Sequence, residues 1–189
     1  MDKNMMKKEI ISWLNAIGAA ILLTVVLRYF ICTPILVDGA SMLPTIDSGD
    51  RVIVNKIGPK LSQYDRFDVI VFRVDEDTNY IKRIIGLPGD HIEYKNDELF
   101  INGEKFEEHY LEGHKVALAD TDILTEDFNL QECLEEEIVP EECYFVLGDN
   151  RKSSMDSRNE HVGFVAREQI IGTVDVVVWP LHHLSFIQD

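Results

Sequence analysis

The sequence is short of basic residues and of cysteine: 18 Lys and Arg stand against 34 Asp and Glu, and three of its 189 residues are cysteines. A formal charge of −16 excludes electrostatic capture of DNA or RNA, which requires a basic surface, so nucleic acid is not an expected partner. Three cysteines are too few for a disulfide scaffold. None makes a close pair of metal-ligand spacing with a second pair elsewhere, so a structural zinc is not expected. Neither a metal nor an organic cofactor is implied. Cys133 and Cys143 could pair with each other in an oxidising compartment, and spacing alone leaves that open. The chain also lacks internal repeats and low-complexity tracts, and 46% apolar content suffices for one domain with a sizeable core.

What the chain does carry is one long apolar run. Residues 10–31, IISWLNAIGAAILLTVVLRYFI, hold only Ser12, Asn15, Thr24 and Arg28 as polar residues. Roughly 20 such residues cross a bilayer core of about 30 Å. The run is apolar all round, unlike the amphipathic helix of a soluble core. It is longer than the apolar part of a secretory signal and shows no small-x-small cleavage site, so it reads as an uncleaved anchor. Cys32 falls at the membrane boundary, where it reads as an interfacial thiol. Lys3, Lys7 and Lys8 precede the run, and the positive-inside rule places residues 1–9 in the cytoplasm and residues 32–189 outside it. Arg28 and Tyr29 suit the interfacial end. No later segment is apolar enough to return, so a single-pass protein of the cell membrane is expected, with the phospholipid bilayer as a partner.

Beyond the anchor come short β-branched and aromatic runs broken by Gly, Pro, Asn and Asp: ILVD, RVIVNK, FDVIVFRV, NYIKRIIG, HIEY, ELFI, YFVLG and IIGTVDVVVW. They predict a mainly β fold with many short antiparallel strands. HIEY and ELFI, separated by Lys95-Asn96-Asp97, read as a hairpin, and Leu87-Pro88-Gly89-Asp90 as a turn. Between Asp120 and Glu142 lie ten acidic residues and no Lys or Arg, a stretch that reads as part of an insertion with a solvated face.

Four polar clusters flank strand-like runs: Gly39-Ala40-Ser41-Met42-Leu43-Pro44-Thr45, Gly49 to Lys56, Tyr80 to Asp90, and Gly148-Asp149-Asn150-Arg151-Lys152-Ser153-Ser154-Met155-Asp156-Ser157-Arg158. Each alone passes for a turn or a solvated loop. Together, in this order and after one N-terminal span, they resemble the bacterial type I signal peptidases, membrane-bound serine proteases that remove signal peptides from exported preproteins. The resemblance covers almost the whole chain and its length suits the compact single-span enzymes of Gram-positive type. It implies a β-rich catalytic core with a small β subdomain inserted at about residues 91–143. It also implies Ser41 as nucleophile, Lys82 as general base, Asp156 and Arg158 as an ion pair behind the site, and Ser154 as a hydroxyl that helps orient the lysine. The substrate would bind as an extended strand and be cut after a small-x-small site, with Ile35, Val37 and Ile81 as candidates for lining the pockets; plain core packing is the alternative for those three.

The chemistry supports these residue types. A serine hydroxyl needs a base to take its proton, and a lysine serves only when neutral. At its reference pKa roughly one lysine in two thousand is neutral at pH 7, so Lys82 must be desolvated, as its neighbours Tyr80, Ile81, Ile84 and Ile85 allow. Strand alternation sends Arg83 to the face opposite Lys82, so one basic residue can enter the site while the other stays outside it. A histidine triad would draw on His91, His109, His114, His161, His182 or His183, none of which lies in a recognisable block. Two positions depart from the family pattern. Gly39 stands where some members have a serine that donates to the oxyanion hole, leaving the Ser41 N–H and a second donor not identifiable from sequence. Ser153 replaces the Asn usual before the orienting serine. Ser41 lies ten residues beyond Ile31, within roughly 35 Å of the membrane even when fully extended. A tethered β binding module would share the anchor and strands but has no use for the Ser and Lys blocks; a Ser-Lys self-cleaving repressor would need a DNA-binding domain.

Overall fold

The structure, a computed structural model, describes residues 3–26, 32–57, 63–117 and 123–187. The interfacial end read at Arg28 and Tyr29, and the first residues of the acidic stretch, lie outside the described residues.

The apolar run forms helix α1 (Lys3–Val26). Its window Lys7–Val25 is 0% buried against the rest of the chain, so it is not a core helix of the β body. Its Ile, Leu, Val and Trp side chains present an apolar surface on every side, which water does not tolerate and a bilayer does.

The remainder is mainly β, as the alternating runs predict. The strands are β1 (Cys32–Leu36), β2 (Arg51–Asn55), β3 (Val69–Arg73), β4 (Asn79–Gly86), β5 (Ile92–Lys95), β6 (Glu98–Ile101), β7 (Glu104–Phe106), β8 (Phe128–Asn129), β9 (Cys143–Leu147), β10 (Val165–Ala166), β11 (Ile170–Trp179) and β12 (Ser185–Phe186). Eight form one sheet in the order β1-β2-β11-β3-β4-β9-β10, with β12 on β11, and every pair in it is antiparallel. Register shifts where β11 meets β2 and β3, and where β4 meets β9, curl this sheet.

The other four strands pair as β7-β6-β5-β8 and lie in the chain between β4 and β9. The chain leaves β4 through the Leu87–Asp90 turn, where Gly89 takes φ +87° and the Asp90 N–H donates to Leu87 O. β5 and β6 join through Asn96 and Asp97, both at positive φ, the two-residue hairpin geometry that suits strand twist. The small sheet packs on the large one through Ile92, Tyr94, Leu99, Ile101 and Phe128 against Ile85, Phe145 and Leu147. Cys133 and Cys143 pack against the same cluster as free thiols, and burial pushes both up from the usual thiol range.

A buried polar network crosses the same interface. Arg151 Nη2 donates to Glu108 Oε1 at 2.6 Å, with side-chain exposures of 0% and 2%. Tyr94 and Tyr110 hydroxyls donate to the same carboxylate oxygen at 2.6 Å, and Arg151 Nη1 reaches Thr125 Oγ1. Burial alone would raise the Glu108 carboxyl, but the Arg151 charge and the three donors hold it below the usual range. Removing one partner strands the other's charge in the interior. Glu108→Ala is therefore expected to cost about 3–5 kcal/mol of stability. The double change Glu108→Ala, Arg151→Met should recover most of it, as read by thermal unfolding of the solubilised chain.

Candidate active site

Ser41 sits on the Gly39–Thr45 segment between β1 and β2, at a turn opened by Gly39 at φ +116°. Lys82 sits in the middle of β4, 2% exposed, with its ammonium 5.0 Å from the Tyr80 ring. Though 41 residues apart, the two meet: Lys82 Nζ donates to Ser41 Oγ at 2.9 Å and to Ile81 O at 3.0 Å. They line one cleft of about 460 Å³, with Ile35, Val37 and Ile81 on its apolar wall. These three also belong to the cluster of Val52, Val54, Val69, Val71 and Val174 beneath it, so lining and packing coexist.

Three consecutive residues after β9 hold the serine segment. Gly148 lies so close that an added Cβ would come within 2.5 Å of Ser41 O and collide with Ser154 Oγ. Asp149 Oδ2 accepts from Thr45 Oγ1 at 2.5 Å. Asn150 donates its N–H to Ser41 O and its Nδ2 to Ala40 O, each at 3.0 Å. Asp149 is clamped in turn by Arg83, which gives it Nε at 3.0 Å and Nη2 at 2.8 Å, with both side chains fully buried. Arg83 also donates to Phe67 O and stacks 3.9 Å over Tyr110. It stays out of the Ser41–Lys82 contact, as strand alternation suggested. It is nonetheless interior, bracing the serine segment through Asp149, which alternation gave no reason to expect.

Arg158 grips Asp156 with two bonds of 2.8 Å, and Asp156 Oδ2 accepts the Gly148 N–H at 3.1 Å. Ser154 Oγ is buried against Gly148 and has no hydrogen-bond partner among the described residues, so the lysine-orienting contact implied by the resemblance is not made here. None of the six histidines lines the cleft, and His183 is engaged by Asp50 at 2.9 Å. Sequence reasoning gave no role to Thr45, Asp149 and Asn150 and left Arg83 outside the site; their place within the Ser, Lys and Gly148–Arg158 blocks was the signal available for them.

The chain matches the family described as signal peptidase, peptidase S26, over residues 10–179. It belongs to that family. It is 47% identical over 167 residues to the signal peptidase I of Bacillus caldolyticus, spanning 88% of this chain and 90% of that one. It is 44% identical over 180 residues to signal peptidase I S of Bacillus subtilis strain 168, 94% of each. To signal peptidase IB of Staphylococcus aureus strain MRSA252 it is 37% identical over 185 residues, 96% of this chain and 95% of that one. The crystal structure of a signal peptidase I from Enterococcus faecalis V583 superposes with a TM-score of 0.55 at 41% identity, covering 59% of this chain and 97% of that one.

Burial lowers the Lys82 pKa from its ordinary 10.5 to about 8, against the opposing charges of Asp156 and Asp149. The folded value lies below the unfolded one, so the cost of burying the ammonium is fully present below pH 8 and is relieved as pH rises towards 10.5. That cost is about 3 kcal/mol. Lys82→Met should therefore be more stable than the parent by roughly 2–3 kcal/mol at pH 6.5, with the gap closing by pH 10. Thermal unfolding at the two pH values checks this; a gap that does not shrink would mean the ammonium is not what burial penalises.

Proposed function

We propose that the chain is a membrane-bound serine endopeptidase that removes signal peptides from exported preproteins, with Ser41 as nucleophile and Lys82 as its general base. Membership of the signal peptidase family supports the activity. The 2.9 Å contact between a buried lysine and a partly buried serine, inside an apolar-walled cleft, is the observation that carries the residue roles.

The neutral amine of Lys82 accepts the Ser41 proton as Oγ attacks the carbonyl carbon of the scissile bond. The Ser41 N–H faces the oxyanion that develops. Its carbonyl, held by Asn150, fixes the orientation of the neighbouring peptide groups. The lysine ammonium then gives its proton to the departing amine of the mature chain. Water, deprotonated by the same amine, releases the signal peptide from Ser41 and restores the serine. Ile35, Val37 and Ile81 form a shallow wall that admits small side chains on the signal-peptide side of the cut.

The bilayer enters this reading through α1, with residues 1–9 cytoplasmic, residues 10–31 spanning and residues 32–189 outside as the peptidase domain, the small sheet at about 91–143 being its insertion. The three N-terminal lysines set that orientation. A second feature of the β body supports it. Leu36, Trp179, Leu181, Leu184 and Phe186 are each at least half exposed, and strand register brings Leu36 and Trp179 to either side of Arg51. Leu36 also borders the catalytic cleft, so the cleft opens beside an apolar edge suited to the membrane surface.

Cleavage of a preprotein by the intact chain in detergent or lipid, with the product N-terminus sequenced, tests the function. A single cut after a small-x-small site is expected. Ser41→Ala and Lys82→Ala should each reduce it by about 10³-fold or more while remaining folded, and Lys82→His should not restore it. Only neutral Lys82 acts, so the rate should rise with pH, reach half its maximum near pH 8 and level off above it. Normal turnover by Lys82→Ala would eliminate the dyad.

A further inference from the structure

The cleft that holds Ser41 and Lys82 is bounded by Ser153 and Met155. The same two residues line a second cleft, of about 850 Å³, on the other side of that ridge, whose walls include Ile123, Glu126, Lys152 and Arg158. We propose that this second cleft receives the first residues of the mature chain, beyond the scissile bond, and that Lys152 there favours an acidic side chain. The proposal rests on the Ser41–Lys82 reading, which assigns the apolar wall to the signal-peptide side and leaves the ridge as the other exit.

Continuity carries the placement. An extended chain advances 3.3–3.6 Å per residue, so a substrate leaving Ser41 across Ser153 and Met155 enters the second cleft within a few residues. The lining suits a polypeptide: Ile123 is 54% and Met155 47% exposed, apolar surface that no other described residue covers. The charges are also informative. Three cations, Arg151, Lys152 and Arg158, face two carboxylates, Glu126 and Asp156, in a chain whose acids outnumber its bases almost twofold. Arg151 is committed to Glu108, and Arg158 to Asp156. That leaves exposed Lys152 without an ion pair or hydrogen bond among the described residues. It adjoins the ridge at Ser153, so it meets the first side chains past the cut, whereas Glu126 stands on the facing segment.

The test uses the full chain in detergent and preproteins sharing one signal peptide and cleavage site, with Asp or Lys placed in turn at the first three positions of the mature chain. At one of them or more, Asp should be favoured in kcat/KM by about two- to fivefold at low salt, the scale of one exposed charge pair. Lys152→Glu should reverse that preference, Lys152→Arg should keep it, and high salt should erase it. An Asp-to-Lys ratio that Lys152→Glu leaves unchanged at every position would overturn the proposal, and so would equal slowing of both substrates. Failure of the dyad would register differently, as cleavage that survives Ser41→Ala.

Discussion

A lysine amine held out of water is the constraint on which the rest of this structure depends. To act as the proposed base near neutral pH, Lys82 must lose solvation, yet the loop that follows β9 brings two carboxylates near it whose charges would restore its proton. Asp149 and Asp156 cannot be dispensed with, because one holds Thr45 and the other holds the Gly148 N–H. Each is met by its own guanidinium, Arg83 or Arg158, in a two-bond pair. The arginines thus do electrostatic as well as structural work. Their positive charges oppose those of the two carboxylates, and desolvation is the largest influence on Lys82.

The small sheet belongs to this arrangement. The loop that supplies Asn150 to the Ser41 carbonyl is fixed one residue later by Arg151, whose guanidinium is bound by Glu108 just after β7 of the small sheet. Tyr110 bonds Glu108 through its hydroxyl and stacks on Arg83 through its ring, so a single side chain joins the two buried ion networks. A buried pair of this kind contributes little net stability compared with an apolar replacement, but it permits only one geometry. For a loop that holds the proposed nucleophile, that selectivity matters more than the stability.

Much of this was legible in the residues. The eight β-branched runs correspond to strands because such side chains suit a pleated, half-buried surface, and Asn96-Asp97 and Pro88-Gly89 mark turns because they accept the required backbone angles. The Ser and Lys blocks were recognisable as a pair by resemblance, and the fold brings them into contact. Strands β7, β8, β10 and β12 were not visible: two or three residues such as Glu104-Lys105-Phe106 or Ser185-Phe186 carry no period, and pairing with a neighbour creates them. Glu108 was equally hidden. In an acidic chain one more glutamate reads as surface, and its partner lies 43 residues away. Ser154 shows the converse, since a motif position identified the residue while the local backbone decided where its hydroxyl sits.

On the membrane reading, one helix is not enough to account for how the site meets its substrate. A tether limits the distance of Ser41 from the bilayer to roughly 35 Å but leaves the β body free to rotate, and a cleft that faces away gains nothing from proximity. The exposed edge formed by Leu36, Trp179, Leu181, Leu184 and Phe186 supplies a second point of contact. Two contacts define an orientation where one defines only a radius. Leu36 belongs both to that edge and to the rim of the cleft, so the orientation that buries the edge also turns the cleft towards the membrane surface, where a signal peptide emerges with its cleavage site already extended.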